Sequence, residues 1–184
     1  MKNPQSEDRD SLRESMWPES RSLVWPREVE KGWFKGPRAL PLILKLVNTK
    51  ALRGNNDISS TYLTLLAENR DEGLVEIKAE ADFAQMAGFA ANARGLRMWR
   101  ERVRALEKLG FVRCFARGTQ DIGFVAIVHP YDALAALRAN GMITDDGMWN
   151  FLQAKLREHG AVKSRAKTTV IVPFRSARST RSST

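Results

Sequence analysis

Apolar residues recur at helical spacing in two segments of the first half of the chain. Residues 42–51 form an approximate helical stripe that Gly54 closes, and a strand is the alternative because Leu44 fits this stripe poorly. A second helix is then predicted, with Ser59 or Ser60 as its N-cap. The apolar face of that helix is expected to consist of Leu63, Leu66 and Ala67.

The middle of the chain alternates short strand patterns with helical patterns. Gly88 is expected to end one helix, and Gly110 stands where a left-handed C-terminal cap is expected for a longer one. Residues 117–121 contain a glycine and polar residues, which predicts a hairpin loop between the last two strands. The predicted elements are a strand over 74–77, helices over 79–87 and 93–109, and strands over 111–115 and 122–128.

Two further helices are predicted after the hairpin. Residues 131–140 form the first, which Gly141 ends, and the second runs from a cap at Thr144 to Gly160. The second helix has an apolar stripe with a spacing of four residues, which either intramolecular packing or dimerisation would explain. This stripe consists of Met148, Leu152 and Leu156.

These patterns divide the chain of 184 residues into three parts. Residues 1–36 form an irregular arm, residues 37–160 form one domain with its core in 59–128, and residues 161–184 form a basic tail rich in Ser, Arg and Thr. The arm is expected to be anchored by its indoles, either on the domain or on a partner. The three tryptophans of the arm are Trp17, Trp25 and Trp33.

The charge is unevenly distributed along the chain. Thirty basic and 21 acidic residues leave a net charge of +9, and residues 161–184 contribute six basic residues and no acidic one. A basic balance of this kind favours polyanionic partners, and a basic tail adds attraction to phosphates that does not depend on sequence.

The composition also excludes several classes of protein. One cysteine, Cys114, allows no intramolecular disulfide, and with two histidines it cannot build a cysteine-rich zinc site. No apolar stretch is long enough to span a membrane, and the polar, acidic first ten residues do not resemble a signal peptide. We therefore expect a cytoplasmic protein with no membrane partner.

The sequence offers no set of residues suited to catalysis. His129 precedes a proline and His159 ends a helix, with no nucleophile motif near either, and Cys114 is expected to be buried in a strand. No phosphate-binding or dinucleotide-binding glycine motif is present. We expect a protein that is not an enzyme, with no catalytic residue, metal or cofactor. Two acidic pairs fit helix ends and turns better than they fit general acid–base catalysis. They are Asp71 with Glu72 and Asp145 with Asp146.

The long helix over 93–109 has two opposite faces. At about 100° per residue, Leu96, Trp99, Val103 and Leu106 form an apolar face. Glu101 lies within the opposite face, where it pairs with one of two arginines, Arg97 or Arg104, or accepts a hydrogen bond from a cytosine amino group. That basic face is either a solvated surface with salt bridges or a surface for phosphates. Its basic members are Arg94, Arg97, Arg104 and Lys108.

The order helix, strand, helix, helix, strand, strand over residues 59–128 resembles the winged helix-turn-helix family of DNA-binding domains. The segment Leu106 to Val112 carries part of this resemblance, because Gly110 stops the helix and the next apolar pair starts a wing strand. The resemblance implies an α+β, mostly helical fold with a winged helix-turn-helix core, extra C-terminal helices and irregular tails.

The resemblance also implies roles for single residues. Arg94 and Arg97, near the start of the recognition helix, are expected at base edges. Asn92 is expected to cap the helix, contact a phosphate, or do both. Backbone contacts are expected from Arg100, Arg104 and Lys108, and a phosphate or minor-groove contact from Arg117 at the hairpin tip.

The function predicted from the sequence is that of a bacterial or mobile-element transcriptional regulator that binds double-stranded DNA. One alternative is a DNA-binding protein for replication or maintenance of a plasmid or phage. Another is a protein-interaction module in a larger nucleoprotein assembly, with the tryptophan arm and the C-terminal helices as its contacts. Besides double-stranded DNA, the candidate partners are a second copy of the chain, which would form a homodimer, or a different protein. Binding of the isolated protein to a free duplex distinguishes the first two from the third.

Overall fold

The structure is a computed structural model, which describes only part of the chain. The chain divides into two units, residues 1–33 and 34–184. In the first unit, Ser15 Oγ donates a hydrogen bond to the carbonyl of Leu12 at 2.7 Å. The predictions for the arm tryptophans, Gly54, Asp71, Glu72, His159 and the basic tail lie outside the described residues. The described ranges are 11–12, 15–16, 36–51, 57–69 and 73–158.

The second unit is α+β and mostly helical, as the sequence predicted. Its described residues form six helices and three strands. Residues 40–51 are helical, which excludes the strand alternative for this segment. The elements are α1 (Leu40–Ala51), α2 (Ser59–Ala67), β1 (Leu74–Glu76), α3 (Glu80–Met86), α4 (Ala93–Lys108), β2 (Val112–Arg117), β3 (Gln120–Ile127), α5 (Pro130–Ala139) and α6 (Asp146–Glu158).

The three strands form one antiparallel sheet with the order β1-β3-β2. The predicted loop over residues 117–121 was too long, because β2 continues to Arg117 and β3 already begins at Gln120. Only Gly118 and Thr119 form the turn, and Gly118 has a φ of +60°. A glycine tolerates this left-handed backbone without the steric cost of a Cβ, so the hairpin can turn within two residues.

The apolar face of α4 forms the centre of the core. Trp99, Val103 and Leu106 are fully buried, as predicted, and Leu96 packs partly buried against them. Trp99 lies 6.1 Å from the ring of Phe83 in α3, measured between ring centroids. Because Phe83, like Trp99, is buried in this core, the packing of α3 on α4 fixes the outward direction of the opposite face of α4.

Helix α2 differs from its prediction in both its face and its cap. Leu63 is only partly buried and Ala67 is exposed, because α2 packs against several elements through a different set of residues. The Asp57 carboxylate accepts a hydrogen bond from the Ser59 amide at 2.6 Å, so neither predicted serine caps the helix. The buried residues of α2 are Thr61, Tyr62, Thr64, Leu65 and Leu66.

The C-terminal helices pack within the chain. Leu152 and Leu156 are buried in the single chain, so the predicted stripe is explained by intramolecular packing without a dimer. Asp145 rather than Thr144 caps α6, because its carboxylate accepts a hydrogen bond from the Met148 amide at 2.9 Å. Among the described residues, no helix combines the length and apolar character that crossing a membrane requires.

Candidate nucleic-acid interface

Helix α4 begins with a well-formed cap. The Asn92 side chain accepts a hydrogen bond from the Gly95 amide at 2.9 Å, which confirms its predicted capping role. At the other end, Gly110 has a φ of +81°, and its amide donates to the Glu107 carbonyl at 2.9 Å. The two caps define a helix of 16 residues that projects one face into solvent.

The first turns of α4 carry two outward arginines. Arg94 is exposed and makes no hydrogen bond or ion pair with any other described residue. Arg97, with 81% of its side chain exposed, donates to Glu101 at 3.1 Å, so of the two arginines predicted to pair with Glu101 it is Arg97 that does so. An exposed pair four residues apart on a helix contributes only about 0.3–0.5 kcal/mol, so a phosphate or a base can replace it at little cost. Ala93, Arg94, Arg97, Met98 and Glu101 line a depression beside these side chains.

Arg100 is fixed to α3. Its Nε atom donates to the Glu80 carboxylate at 2.7 Å, and its terminal nitrogen contacts the same oxygen. This hydrogen bond raises the pKa of the Arg100 guanidinium above its ordinary value. Glu80 is largely buried, while about half of the Arg100 side chain remains exposed. Arg100 therefore joins α4 to α3.

Arg104 is fixed between its own helix and the sheet. It donates to Glu107 at 2.8 Å and to the Asp121 carbonyl at 3.3 Å. Burial opposes its charge, but the hydrogen bond with Glu107 leaves the pKa of Arg104 raised above its ordinary value. Lys108 is exposed and has no hydrogen bond or ion pair within the described part of the chain. In the part of α4 that follows Arg97, Lys108 is thus the exposed basic residue whose charge is not paired with a described carboxylate.

Glu107 connects α4 to the outer edge of the sheet. One carboxylate oxygen accepts from Arg104, and the other accepts from the amide of Cys114 in β2 at 2.8 Å. Since β2 is an edge strand, this amide has no partner strand, and the carboxylate satisfies it in place of a neighbouring chain. Glu107 therefore both orients Arg104 and protects the edge of the sheet.

Replacing Glu107 with alanine is expected to destabilise the fold by about 1–3 kcal/mol, because the partly buried Cys114 amide loses its acceptor and the partly buried Arg104 guanidinium loses one of its two. Glu107→Gln should cost less, since it keeps an acceptor oxygen. Denaturation in urea measures both effects. Glu101→Ala is the matched control, and a loss of equal size there would show that Glu107 has no special structural role.

Arg117 does not lie free at the hairpin tip, which corrects the predicted loop position. It is the last residue of β2, and it donates to Glu76 of β1 at 2.6 Å and to the Ile77 carbonyl at 3.2 Å. Its guanidinium also lies 5.7 Å from the centroid of the Phe124 ring. Arg117 thus spans the sheet across β3, with its charge paired to a carboxylate.

Cys114 is half-buried in β2, in accord with its predicted strand position. Burial, together with the negative charge of Glu107, raises the pKa of the thiol to about 12. Thiolate is the reactive form, and an unfolded cysteine has a pKa of about 8.5. The folded protein therefore contains far less thiolate than the unfolded chain at mild pH.

We expect the native protein at pH 8 to react with iodoacetamide roughly three orders of magnitude more slowly than the urea-unfolded chain, in proportion to the thiolate fractions. Because the folded pKa lies above the unfolded one, the stability from the neutral thiol is complete below about pH 8.5 and is lost as pH rises towards 12. Mass spectrometry follows the reaction at this one cysteine. Equal rates in the two states would refute the burial of the thiol.

Sequence reasoning missed one charged residue of α4. Arg102 is only 5% exposed, although it belongs to a helix whose other arginines face outward. Arg102 lies about 40° from Leu106 around the helix axis, on the apolar side of α4, and this position was the signal in the sequence for its burial. His129 is exposed at the start of α5, with Nδ1 3.9 Å from Asp132. The described residues contain no cluster of three or more side chains able to hold a metal ion.

The predicted site residues thus fall into two groups. Arg94, Arg97 and Lys108 share the solvent face of α4, with Glu101 between them, and Asn92 caps the same helix. Arg100, Arg104 and Arg117 are held by carboxylates of the chain itself. Comparisons of the chain with protein-family models, curated proteins and solved structures found no match.

Proposed function

We propose that this protein binds double-stranded DNA as a winged helix-turn-helix protein, with α4 as the recognition helix in the major groove. The observation that carries the proposal is the division of α4 into an apolar face packed in the core and a solvent face on which Arg94 and Arg97 point outward. The order α2, β1, α3, α4, β2, β3 and the sheet order β1-β3-β2 support the same interpretation.

The dimensions of α4 suit this role. Its 16 residues span about 24 Å at 1.5 Å per residue, and a helix of about 10–12 Å diameter fits a major groove about 12 Å wide. Arg94 and Arg97 lie in its first two turns, which is the part of a recognition helix that reaches base edges. Each can donate two hydrogen bonds to guanine O6 and N7.

The internal ion pairs refine the roles of the other basic residues. Lys108 is free for a phosphate at the far end of α4. Arg100 and Arg104 hold α4 against α3 and β3, and any phosphate contact that they make uses the exposed remainder of the side chain. The hairpin of β2 and β3 is the wing in this proposal. Arg117 holds β2 to β1 through Glu76, so it stabilises the position of the wing and offers DNA little unpaired charge.

We propose transcriptional regulation as the biological role of this binding. The test is DNase footprinting of the full chain on the DNA that surrounds its own reading frame, with titration of a random duplex of equal length in parallel. A footprint beside its own promoter supports the regulator. A footprint confined to a replication origin would overturn that role while retaining DNA binding, and no binding to either duplex would overturn the winged-helix proposal itself.

A further inference from the structure

The outer face of the sheet carries an exposed apolar surface that DNA binding by α4 does not use. The register places Phe115 of β2 opposite Phe124 of β3, and Phe124 opposite Glu76 of β1. The next row on this face consists of Leu74, Ala126 and Arg113. Phe115 is 55% exposed and Leu74 is 48% exposed. We call these two rows the outer sheet face.

The opposite face of the same sheet is buried. Val75 and Val125, which lie between the two rows on their strands, are in the core with at most 2% of their surface exposed. Strand residues alternate between faces, so the pairing of Phe115 with Phe124 places Phe115 on the side away from the core. The register of β2 with β3 shifts only beyond this pair, between Phe115 and Arg117. The sheet therefore uses one side for the core and presents two phenylalanines on the other.

The outer sheet face is also basic. Its two rows contain Arg113 and one carboxylate, Glu76. Two further cations border it, since Arg117 lies over the ring of Phe124 and Lys78 lies 3.9 Å from Glu76. Arg113, two residues before Phe115 on the same strand, makes no hydrogen bond or ion pair with any described residue. Because positive charges outnumber negative ones here, the same face of a second copy would be repelled. The surface favours an anionic partner instead.

We propose that the outer sheet face binds single-stranded nucleic acid. Unpaired bases stack on phenylalanine rings and on guanidinium planes, while basic side chains contact the phosphates between them. Phe115 provides an exposed ring, and Arg117 provides a guanidinium whose central carbon lies 5.7 Å from the centroid of the Phe124 ring. Arg113 supplies a free charge for the phosphate at the edge of this platform. Duplex DNA does not fit the same chemistry, because its bases are already stacked on each other.

This surface is independent of the α4 interface. The residues involved belong to the three strands, apart from Lys78 just after β1, whereas Arg94 and Arg97 lie on α4. The two proposals can therefore fail separately. A protein with both surfaces would hold a duplex and an unpaired strand at the same time, as occurs where DNA is opened.

The test is fluorescence anisotropy of a labelled oligothymidylate of about 15 nucleotides, a length within the range of single-stranded binding sites. The full chain is titrated at several salt concentrations, so that electrostatic attraction common to all variants is separated from stacking. Phe115→Ala is expected to weaken binding about tenfold, since stacking is lost but charge is unchanged. Arg113→Ala should weaken binding less and reduce its salt dependence.

Phe151→Ala is the matched control. Phe151 is a phenylalanine of α6 that is 50% exposed and lies 6.0 Å from the ammonium of Lys155, so it resembles Phe115 in exposure and in its neighbouring cation. Its replacement should leave oligothymidylate binding within about twofold, because it is outside the sheet. Both phenylalanines are exposed, so thermal unfolding should change little in either variant and loss of folding is not an explanation.

Equal affinities of the wild type and Phe115→Ala for the oligonucleotide would overturn the proposal. Equal losses in Phe115→Ala and Phe151→Ala would overturn it as well. If Phe115→Ala keeps the oligonucleotide but loses a protein that co-purifies with the wild type, the outer sheet face is a protein contact instead. A double variant Arg94→Ala/Arg97→Ala should keep oligothymidylate binding, so that failure of the duplex proposal is recognised separately.

Discussion

Replacing Gly95 with alanine is expected to destabilise the fold by about 3 kcal/mol or more, at the upper end of the usual cost of overpacking. A Cβ at this position would lie 1.8 Å from the carbonyl oxygen of Ala90 and 2.8 Å from its carbonyl carbon. Backbone atoms cannot turn away as a flexible side chain does, so the linker between α3 and α4 must move. The hydrogen bond from the Gly95 amide to Asn92 would be strained by the same movement.

The sign of this effect distinguishes it from ordinary helix propensity. Alanine is favoured over glycine inside a helix by about 1 kcal/mol, so propensity alone predicts stabilisation. Gly147 of α6 is the matched control, because a Cβ there would approach only the Asp145 side chain, at 3.3 Å. Urea denaturation should show a stability within about 1 kcal/mol of wild type for Gly147→Ala. A Gly95→Ala protein as stable as wild type would refute the close approach of Ala90.

The close approach also bears on function. The backbone contact at Gly95 sets how the linker meets α4, and hence how α3 and α4 are oriented. In the helix-turn-helix arrangement that we propose, this orientation decides how far the recognition helix enters the groove. Gly95→Ala is therefore expected to affect duplex binding as well, even though Gly95 has no side chain to contact DNA.

Two interactions at the start of α4 that the sequence predicted, the second as one of several alternatives, are short in chain distance. The cap formed by Asn92 is separated from its partner by three residues, and the pair of Arg97 with Glu101 by four. The buried face of α4, with Trp99 at its centre, followed from helical periodicity alone. Each of these depends only on local geometry that the residue types themselves determine.

Most of the interactions that the sequence did not predict at the candidate site join residues distant along the chain, although Arg104 and Glu107 are only three residues apart. Arg117 and Glu76 are 41 residues apart, and Arg100 and Glu80 are 20 residues apart. A charged side chain has several carboxylates to choose from, and the tertiary fold decides which of them comes within reach. For this reason Arg117 was expected at a free hairpin tip, although the sheet brings Glu76 next to it.

The tight approach at Gly95 escaped prediction for the same physical reason. A glycine inside a helical pattern usually only lowers the stability of the helix. Nothing in the local sequence indicates that the linker folds back on Gly95. The double role of Glu107 also depends on the position of β2 relative to α4. Local patterns thus placed the elements and one face of α4, while the packing of the elements decided which of its cations are free.

That division of cations leads to the expected result for the two outward arginines in the first two turns of α4. Arg94→Ala and Arg97→Ala should each weaken binding to the footprinted duplex by about 1–3 kcal/mol, the value of one bidentate base contact. Binding to a random duplex should change much less, because phosphate contacts alone contribute there. Arg94→Ala should have the larger effect, since Arg94 has no ion pair with a described residue and its positive charge is not offset by a carboxylate.

Competition titrations with the specific and the random duplex measure both affinities, and two variants serve as controls. Arg157→Ala removes the same charge from an exposed position on α6, so it reports the general electrostatic effect. Glu101→Gln releases Arg97 from its pair and removes a negative charge from the binding face, which should strengthen binding to both duplexes. If Glu101→Gln instead weakens only the specific complex, its carboxylate contacts a cytosine amino group. If Arg94→Ala and Arg97→Ala lose as much affinity for the random duplex as for the specific one, both arginines contact phosphates and the bases are contacted from elsewhere.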